Sequence, residues 1–246
     1  MISKGITMVT GYVMKLGIIG AMESEVAELK SVMEETNVVD RAGMLFYDGV
    51  INHREVVVVK CGLGKVNAAF CTQVMIDLFR VDMIINTGVA GSLDPKINIG
   101  DIVLSTDVVQ HDFDLTPLGL KKGTIPPKKS VSFTPDDGLR TIARVVCHAV
   151  NRDISVFEGR IATGDSFICN KKEKHRIRSE FGALCCEMEG GAIAQVCDAN
   201  DVPFLIIRAI SDKADDSASE DFPSFEKKAI KHTINLELEM LRRFQI

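Results

Sequence analysis

The chain has 246 residues, 46% of them hydrophobic, and Asp plus Glu (34) outnumber Lys plus Arg (29) for a formal net charge of −5. That length holds one large α/β domain or two small ones, and that hydrophobic share is ordinary for a chain with a sizeable core. A mildly acidic chain lacks the basic footprint that nucleic acid or an anionic membrane demands, and no apolar run approaches the ~20 residues of a spanning helix.

The first fourteen residues, MISKGITMVTGYVM, have neither the sustained apolar core nor the cleavage pattern of a signal peptide. They read as a loosely ordered extension ahead of a domain spanning 15–246. Lys15–Gly20 is a short apolar run closed by glycine, hence a strand. Met22, Val26, Leu29 and Met33 recur at helical spacing directly after it. Leu45–Ile51 and Glu55–Lys60, separated by Asn52, His53 and Arg54, read as a hairpin. Lys65–Phe79 is the next helix, Asp82–Thr87 a buried strand ending at Gly88, and Asp101–Gln110 a strand with blurred alternation.

Leu115 to Asp137 holds four of the seven prolines and reads as a long loop, which in a compact domain is usually functional or disordered. Asp136 or Asp137 would cap a helix reaching about Asn151. Ile154–Thr163 reads as a strand, Lys171–Phe181 as a charged helix, Leu184–Glu187 as a short strand and Ala192–Asn200 as a helix. Pro203–Ile210 is a strand and Phe225–Phe244 the closing helix. Strands alternating with helices, without repeat or linker, predict a single α/β domain whose central sheet is mixed and mostly parallel.

Seven cysteines occur, with no Cys-x-x-Cys pair, and the five histidines show no His-Glu-x-x-His pairing. Adjacent Cys185 and Cys186 would face opposite sides of a strand, which suits neither a shared metal nor a ring-closing disulfide. The thiols read as small core residues of a reducing, cytoplasmic compartment, and no metal is expected. The Lys-rich stretches Lys121–Lys129 and Lys171–Lys174 read as solvated faces.

Open α/β sheets bind ligands at the carboxyl ends of their strands. The polar residues expected there are Glu25, the turns Gly88–Gly91 and Gly164–Phe167, then Met188-Glu189-Gly190-Gly191, Arg208 and Asp212. Alternation puts Arg208, Ile210 and Asp212 on one face. An arginine in so apolar a run is either paired with a buried carboxylate or reaches a ligand edge. Glu187 and Glu189 share a face if the strand persists and diverge if a helix starts at Glu189. Glu25 serves equally as a helix-start carboxylate favoured by the dipole. Gly17-Ile18-Ile19-Gly20 lacks the spacing of a dinucleotide fingerprint, and Cys61–Lys65 lacks that of a phosphate loop.

Taken in order, GIIGAMESEV (Gly17–Val26), CGLGKVNAA (Cys61–Ala69), INTGVAGSL (Ile85–Leu93), INIGDIV (Ile97–Val103), QHDFDLT (Gln110–Thr116), TGDSFI (Thr163–Ile168), CEMEGGAIAQVC (Cys186–Cys197) and RAISDKAD (Arg208–Asp215) carry a family resemblance. From about Lys15 onward the chain resembles the bacterial 5′-methylthioadenosine/S-adenosylhomocysteine nucleosidases of the nucleoside phosphorylase/hydrolase superfamily. The resemblance implies a nucleoside phosphorylase-like fold and cleavage of adenine from 5′-thio-substituted ribose in methionine salvage, with 5′-deoxyadenosine as a further substrate and no cofactor. It implies that Asp212 protonates adenine N7 and that Glu25, helped by Arg208, deprotonates the attacking water. Glu189 would hold the ribose hydroxyls with Met188 packed on the sugar, and Phe167 would stack on adenine while the Ile168 backbone reads its edge. Leu63 and Phe222 would line the walls, with Val89, Ala90 and Gly91 against the substrate. A homodimer partner would receive Leu118, Leu120 and Pro126 in its 5′ subsite.

Val89 departs from relatives that carry Ser, so no side-chain hydroxyl acts there. Three alternatives stand beside this reading: a phosphorylase of the same superfamily, an aminodeoxyfutalosine nucleosidase, and a catalytically silent nucleoside-binding protein. Anionic groups around the sugar suit the oxocarbenium-like ribosyl cation of such a cleavage. A carboxylate facing a phosphate dianion does not.

Overall fold

The computed structural model describes residues 14–127 and 131–243. Expectations for residues 1–13, for Lys128 and Lys129 and for Phe244 lie outside the described residues.

The first half is built on β1 (Leu16–Gly20), α1 (Glu23–Ser31), β2 (Glu34–Arg41), β3 (Met44–Ile51) and β4 (Arg54–Lys60), then α2 (Lys65–Phe79) and β5 (Met83–Asn86). Its sheet runs β2-β3-β4-β1-β5, with β1 parallel to both β4 and β5. The β3–β4 hairpin pairs Ile51 with Arg54 across Asn52 and His53. Both central residues have positive φ (49° and 62°), the geometry of a turn whose twist matches the strands it joins.

The second half adds β6 (Val89–Ser92), β7 (Ile102–Gln110), a 3-10 turn (Thr116–Leu118), β8 (Ser132–Phe133), α3 (Asp137–Val150), β9 (Val156–Thr163) and α4 (Lys171–Phe181). It ends with β10 (Cys185–Glu187), α5 (Gly190–Ala199), β11 (Phe204–Asp212) and α6 (Ala218–Arg243). β11 is parallel to β5 on one side and β6 on the other, so it joins the halves into one sheet. The order continues β11-β6-β10-β9-β7-β8, and an antiparallel β7–β11 pairing closes five of these strands into a ring.

Two apolar layers hold the helices. One core packs Ala68, Cys71 and Met75 of α2 and Ile193, Ala194 and Cys197 of α5 on one side of the strands. The other packs Val26 and Leu29 of α1, Leu139 and Ala143 of α3, and Leu236 and Met240 of α6 on the opposite side. Cys185 joins the first core and Cys186 a smaller one around Ile168, Ile177 and Phe181, the opposite-face placement expected of neighbours in a strand. The single-domain mixed α/β reading holds. No helix among the described residues is long and apolar enough to cross a membrane.

Some boundaries differ from expectation. α5 starts at Gly190, two residues early, β11 runs on to Asp212, and α6 starts at Ala218 rather than Phe225 and carries Pro223 within it. β2, β6 and β8 were not expected. Each leaves a weak pattern: β2 is exposed along almost its whole length, β6 is four residues containing glycine, and β8 is two residues inside the proline-bearing loop. α3 is capped as foreseen, the Asp136 carboxylate accepting from Leu139 N at 2.8 Å.

Candidate active site

The carboxyl ends of β1, β4, β5, β9, β10 and β11 converge on one cavity of about 520 Å³. From the first half it is lined by Ala21, Met22, Glu25 and Leu63, and from β6 by Val89, Ala90 and Gly91. From the second half come Phe167, Cys186, Glu187, Met188, Glu189, Ser211, Asp212, Ser219 and Phe222. A narrow recess continues behind Phe167 toward Ser166 and Ile168.

Glu25 enters because α1 begins at the end of β1. Its Oε2 accepts from the amides of Ala21 (2.7 Å) and Met22 (2.9 Å), closing the first turn of the helix. Its Oε1 accepts from Val89 N at 3.1 Å, across the sheet. The carboxylate thus fills both roles open in the sequence, helix start and cavity wall. Burial pushes its pKa up, opposed by Arg208 and the three amides. Gly88 makes room for this: a Cβ there would overlap Glu25 Oε1 and stand 3.3 Å from Arg208 Nη1.

Glu187 and Glu189 diverge because the chain leaves the strand between them. Glu187 Oε2 accepts from Arg208 Nη2 at 2.5 Å and from the amides of Glu189 (3.0 Å) and Gly190 (2.6 Å), while Oε1 takes the Thr163 hydroxyl. Burial alone would push Glu187 up, but Arg208 and these hydrogen bonds hold it below the usual carboxylate range. Glu189 stands at the start of α5, where its carboxylate accepts from Gly64 N at 2.8 Å. Burial, then the Glu187 charge, raise its pKa to about 7.

Arg208 takes the first of the two arrangements the sequence left open, a pairing with a buried carboxylate. Its side chain is 2% exposed, is absent from the cavity lining, and sits in the ion pair with Glu187 and a 2.5 Å hydrogen bond to Asn86 Oδ1. The register of β11 against β6 shifts between Ile210 and Asp212, so strict alternation fails there. Ile210 stays in the core, while Ser211 and Asp212 both reach the cavity. Asp212 accepts from Ala214 N and from the Ser211 hydroxyl, each at 2.8 Å. Burial raises its pKa, and the charges of Asp221 and Asp215 add to the rise.

Phe167 and Phe222 meet edge to face across the mouth, ring centroids 5.9 Å apart. Leu63 and Phe167 remain 57% and 47% exposed, an apolar rim. Met188 lies half-buried between the two glutamates. Leu118, Leu120 and Pro126 lie off the cavity of their own chain, Leu118 at 75% exposure. Sequence reasoning missed Ala21, Met22, Cys186, Glu187, Ser211 and Ser219 as lining. Two of them adjoin predicted residues, Glu187 beside Met188 and Ser211 beside Asp212, while Ala21 and Met22 directly follow the strand ending at Gly20. Among the described residues no group of three or more His, Cys, Asp or Glu has an arrangement that could hold a metal ion.

This sheet, with a carboxylate-lined cavity at its strand ends, places the chain in a known class: the family model described as "Phosphorylase superfamily" matches residues 15–242. It is 42% identical over 233 residues to the 5′-methylthioadenosine/S-adenosylhomocysteine nucleosidase of Geobacillus sp. (strain WCH70), covering 94% of this chain and 100% of that one. A crystal structure of such a nucleosidase from Colwellia psychrerythraea 34H in complex with adenine superposes with a TM-score of 0.90 at 38% identity, covering 94% and 95% of the two chains. The futalosine hydrolase of Helicobacter pylori strain 26695 is also similar, with a TM-score of 0.85 at 34% identity, covering 92% and 98%. The chain belongs to the 5′-methylthioadenosine/S-adenosylhomocysteine nucleosidase family of that superfamily.

Proposed function

We propose that the chain hydrolyses the N-glycosidic bond of 5′-methylthioadenosine and S-adenosylhomocysteine, releasing adenine and the 5′-thioribose. The observation that carries this is the lining itself. Glu25, Glu189 and Asp212 converge on the cavity, and among its described lining residues there is no Lys or Arg to receive a phosphate. That favours water over phosphate as the nucleophile.

In the reaction the C1′–N9 bond breaks as electrons pass to the base, and Asp212 delivers a proton to N7 so that neutral adenine leaves. Burial raises the pKa of Asp212, the direction a proton donor needs. Water adds to C1′ and gives its proton to Glu25, held by three amides in a fixed orientation. Glu189 accepts the ribose hydroxyls, and its charge, with that of Glu25, favours the cationic sugar. Arg208 acts behind them, stabilising the anionic form of Glu25 by its field rather than touching substrate. Phe167, Phe222 and Leu63 cover adenine and the thioether, Met188 packs on the sugar, and the Ile168 backbone borders the base recess. Val89 serves through its amide.

A second copy of the chain would complete the 5′ subsite with Leu118, Leu120 and Pro126, of which Leu118 and Pro126 are exposed and Leu120 is half-buried. Seven free thiols, six of them buried, fit a cytoplasmic enzyme of methionine salvage. The likeness to a futalosine hydrolase favours an aminodeoxyfutalosine-type adenine nucleoside as the second substrate class. Adenine release from a panel of 5′-substituted adenosines in phosphate-free buffer tests the proposal. Release that appears only on adding phosphate overturns it, and a panel won by a bulky carboxylated 5′ group selects the second class.

A further inference from the structure

Five buried side-chain polar atoms among the described residues lack a hydrogen-bond partner, and four of them belong to Thr87, Arg208 and Glu237: Thr87 Oγ1, Arg208 Nε and both carboxyl oxygens of Glu237. Native interiors pair such atoms, so a concentration of exceptions in one place calls for an account. Glu237 lies on α6 and is 1% exposed. The Thr87 hydroxyl stands beside it, near enough to favour its charged form without a hydrogen bond of good geometry.

Thr87 occupies a telling position. The residue before it, Asn86, holds Arg208, and the residues after it, Gly88 and Val89, hold Glu25. Glu237 therefore sits behind the cavity wall, within electrostatic reach of Glu25 from α1 and Arg208 from β11. Among the other elements packed on α6, β6 presents no titratable side chain, and α3 presents the Cys147 thiol, which burial keeps protonated. On α6 itself, His232 faces the Gly100 carbonyl, Lys231 pairs with Glu28, and Glu239 pairs with Arg242 and Arg243. Arg208 is the cation near Glu237, and its Nη2 is already engaged by Glu187 and Asn86.

An ionised Glu237 would be a buried anion without its own counter-charge, so the neutral acid is the form the fold accommodates. We propose that Glu237 is a positioning residue for Glu25: as a neutral acid behind the cavity wall it leaves the field of Arg208 to Glu25 and Glu187, and its ionisation at alkaline pH withdraws that support. The proposal rests on Glu25 accepting the proton of water. Burial pushes Glu237 up to about 8, with Thr87 and Arg208 opposing and Glu25 adding to the rise, which places the change just above neutrality.

The sign of the linked stability follows. A carboxyl whose folded pKa lies near 8 instead of the ordinary 4.5 stabilises the fold fully below about 4.5, and that contribution drains away as pH rises toward 8. Glu237→Gln keeps the shape and removes the proton requirement. Thermal melts of wild type and Glu237→Gln, which need no catalysis, should show a Tm advantage of the variant that grows between about pH 5 and 8. A pH-independent Tm difference overturns the proposal.

The activity arm follows hydrolysis of 5′-methylthioadenosine from roughly pH 6 to 9. Glu237→Gln should stay within about threefold of wild type at the acid end and retain more activity than wild type near pH 8, where the remaining decline belongs to Asp212. Thr87→Val, which removes the hydroxyl that favours the anion, should move the Glu237 part of the decline to higher pH. Superimposable profiles of wild type and Glu237→Gln, or a constant factor between them at every pH, overturn the proposal and leave a packing role. Failure of the hydrolase reading registers separately, as absence of phosphate-independent adenine release by wild type or full activity of Glu25→Gln. The melts still report on the Glu237 proton in that case.

Discussion

Arg208 and Glu187 form a fully buried ion pair, Nη2 to Oε2 at 2.5 Å, that ties the middle of β11 to the end of β10. Farther along each chain an acid reaches the same cavity, Asp212 at the end of β11 and Glu189 just after β10. Removing one partner leaves a buried charge uncompensated, which costs about 3–5 kcal/mol. Arg208→Met should lose that much in chemical denaturation, and adding Glu187→Gln to it should recover part of the loss. An Arg208→Met protein as stable as wild type would contradict the pairing.

Asp212 is held by Ala214 N and Ser211 with its pKa raised by burial. Asp212→Asn keeps the shape and removes the transferable proton. It should lower kcat by about 10²–10⁴-fold while leaving the Kd for an adenine nucleoside within a few-fold. Steady-state rates paired with calorimetric binding check both halves, and near-normal turnover would remove Asp212 from the acid role.

Glu189 has a pKa raised to about 7, above the ordinary carboxylate value of 4.5, so in the free protein it is largely protonated below neutrality. Holding two ribose hydroxyls requires the carboxylate. The affinity for a non-hydrolysable adenine nucleoside should therefore rise with pH, by up to about tenfold per unit below pH 7, and level off above it. Glu189→Gln should bind weakly with a flat profile. Calorimetry across the range gives the answer.

Gly88→Ala should damage the site without unfolding the protein. The added methyl would displace the Glu25 carboxylate from Val89 N. A misplacement of about 1 Å at a reacting group costs about 10²-fold in rate. A variant with wild-type melting and wild-type kcat would show that the position of Glu25 is unimportant.

Much of this was legible from residue patterns, for identifiable reasons. α2 was read at its full extent because Lys65–Phe79 repeats apolar residues against one core and is bounded by Gly64 and by Arg80 in a left-handed cap. β2 escaped because it is an edge strand, exposed along almost its whole length, and Val39 packed on a core does not by itself impose a period of two. The first turns of α6 escaped because Pro223, which lacks an amide hydrogen, reads as a stop. Family motifs gathered Glu25, Glu189 and Asp212 correctly at one cavity. They do not decide where Arg208 lies, because its partners Glu187 and Asn86 come from two other strands. Glu237 carried no local signal at all. Its neighbours Thr87 and Glu25 lie 150 and 212 positions away in the chain, and only the packed fold brings them near it.

The contact between Glu25 and position 89 is carried by a main-chain amide. Every amino acid except proline owns that donor, so the identity of residue 89 is free to drift over generations while the carboxylate keeps its anchor. A valine at this position therefore leaves the grip on Glu25 intact.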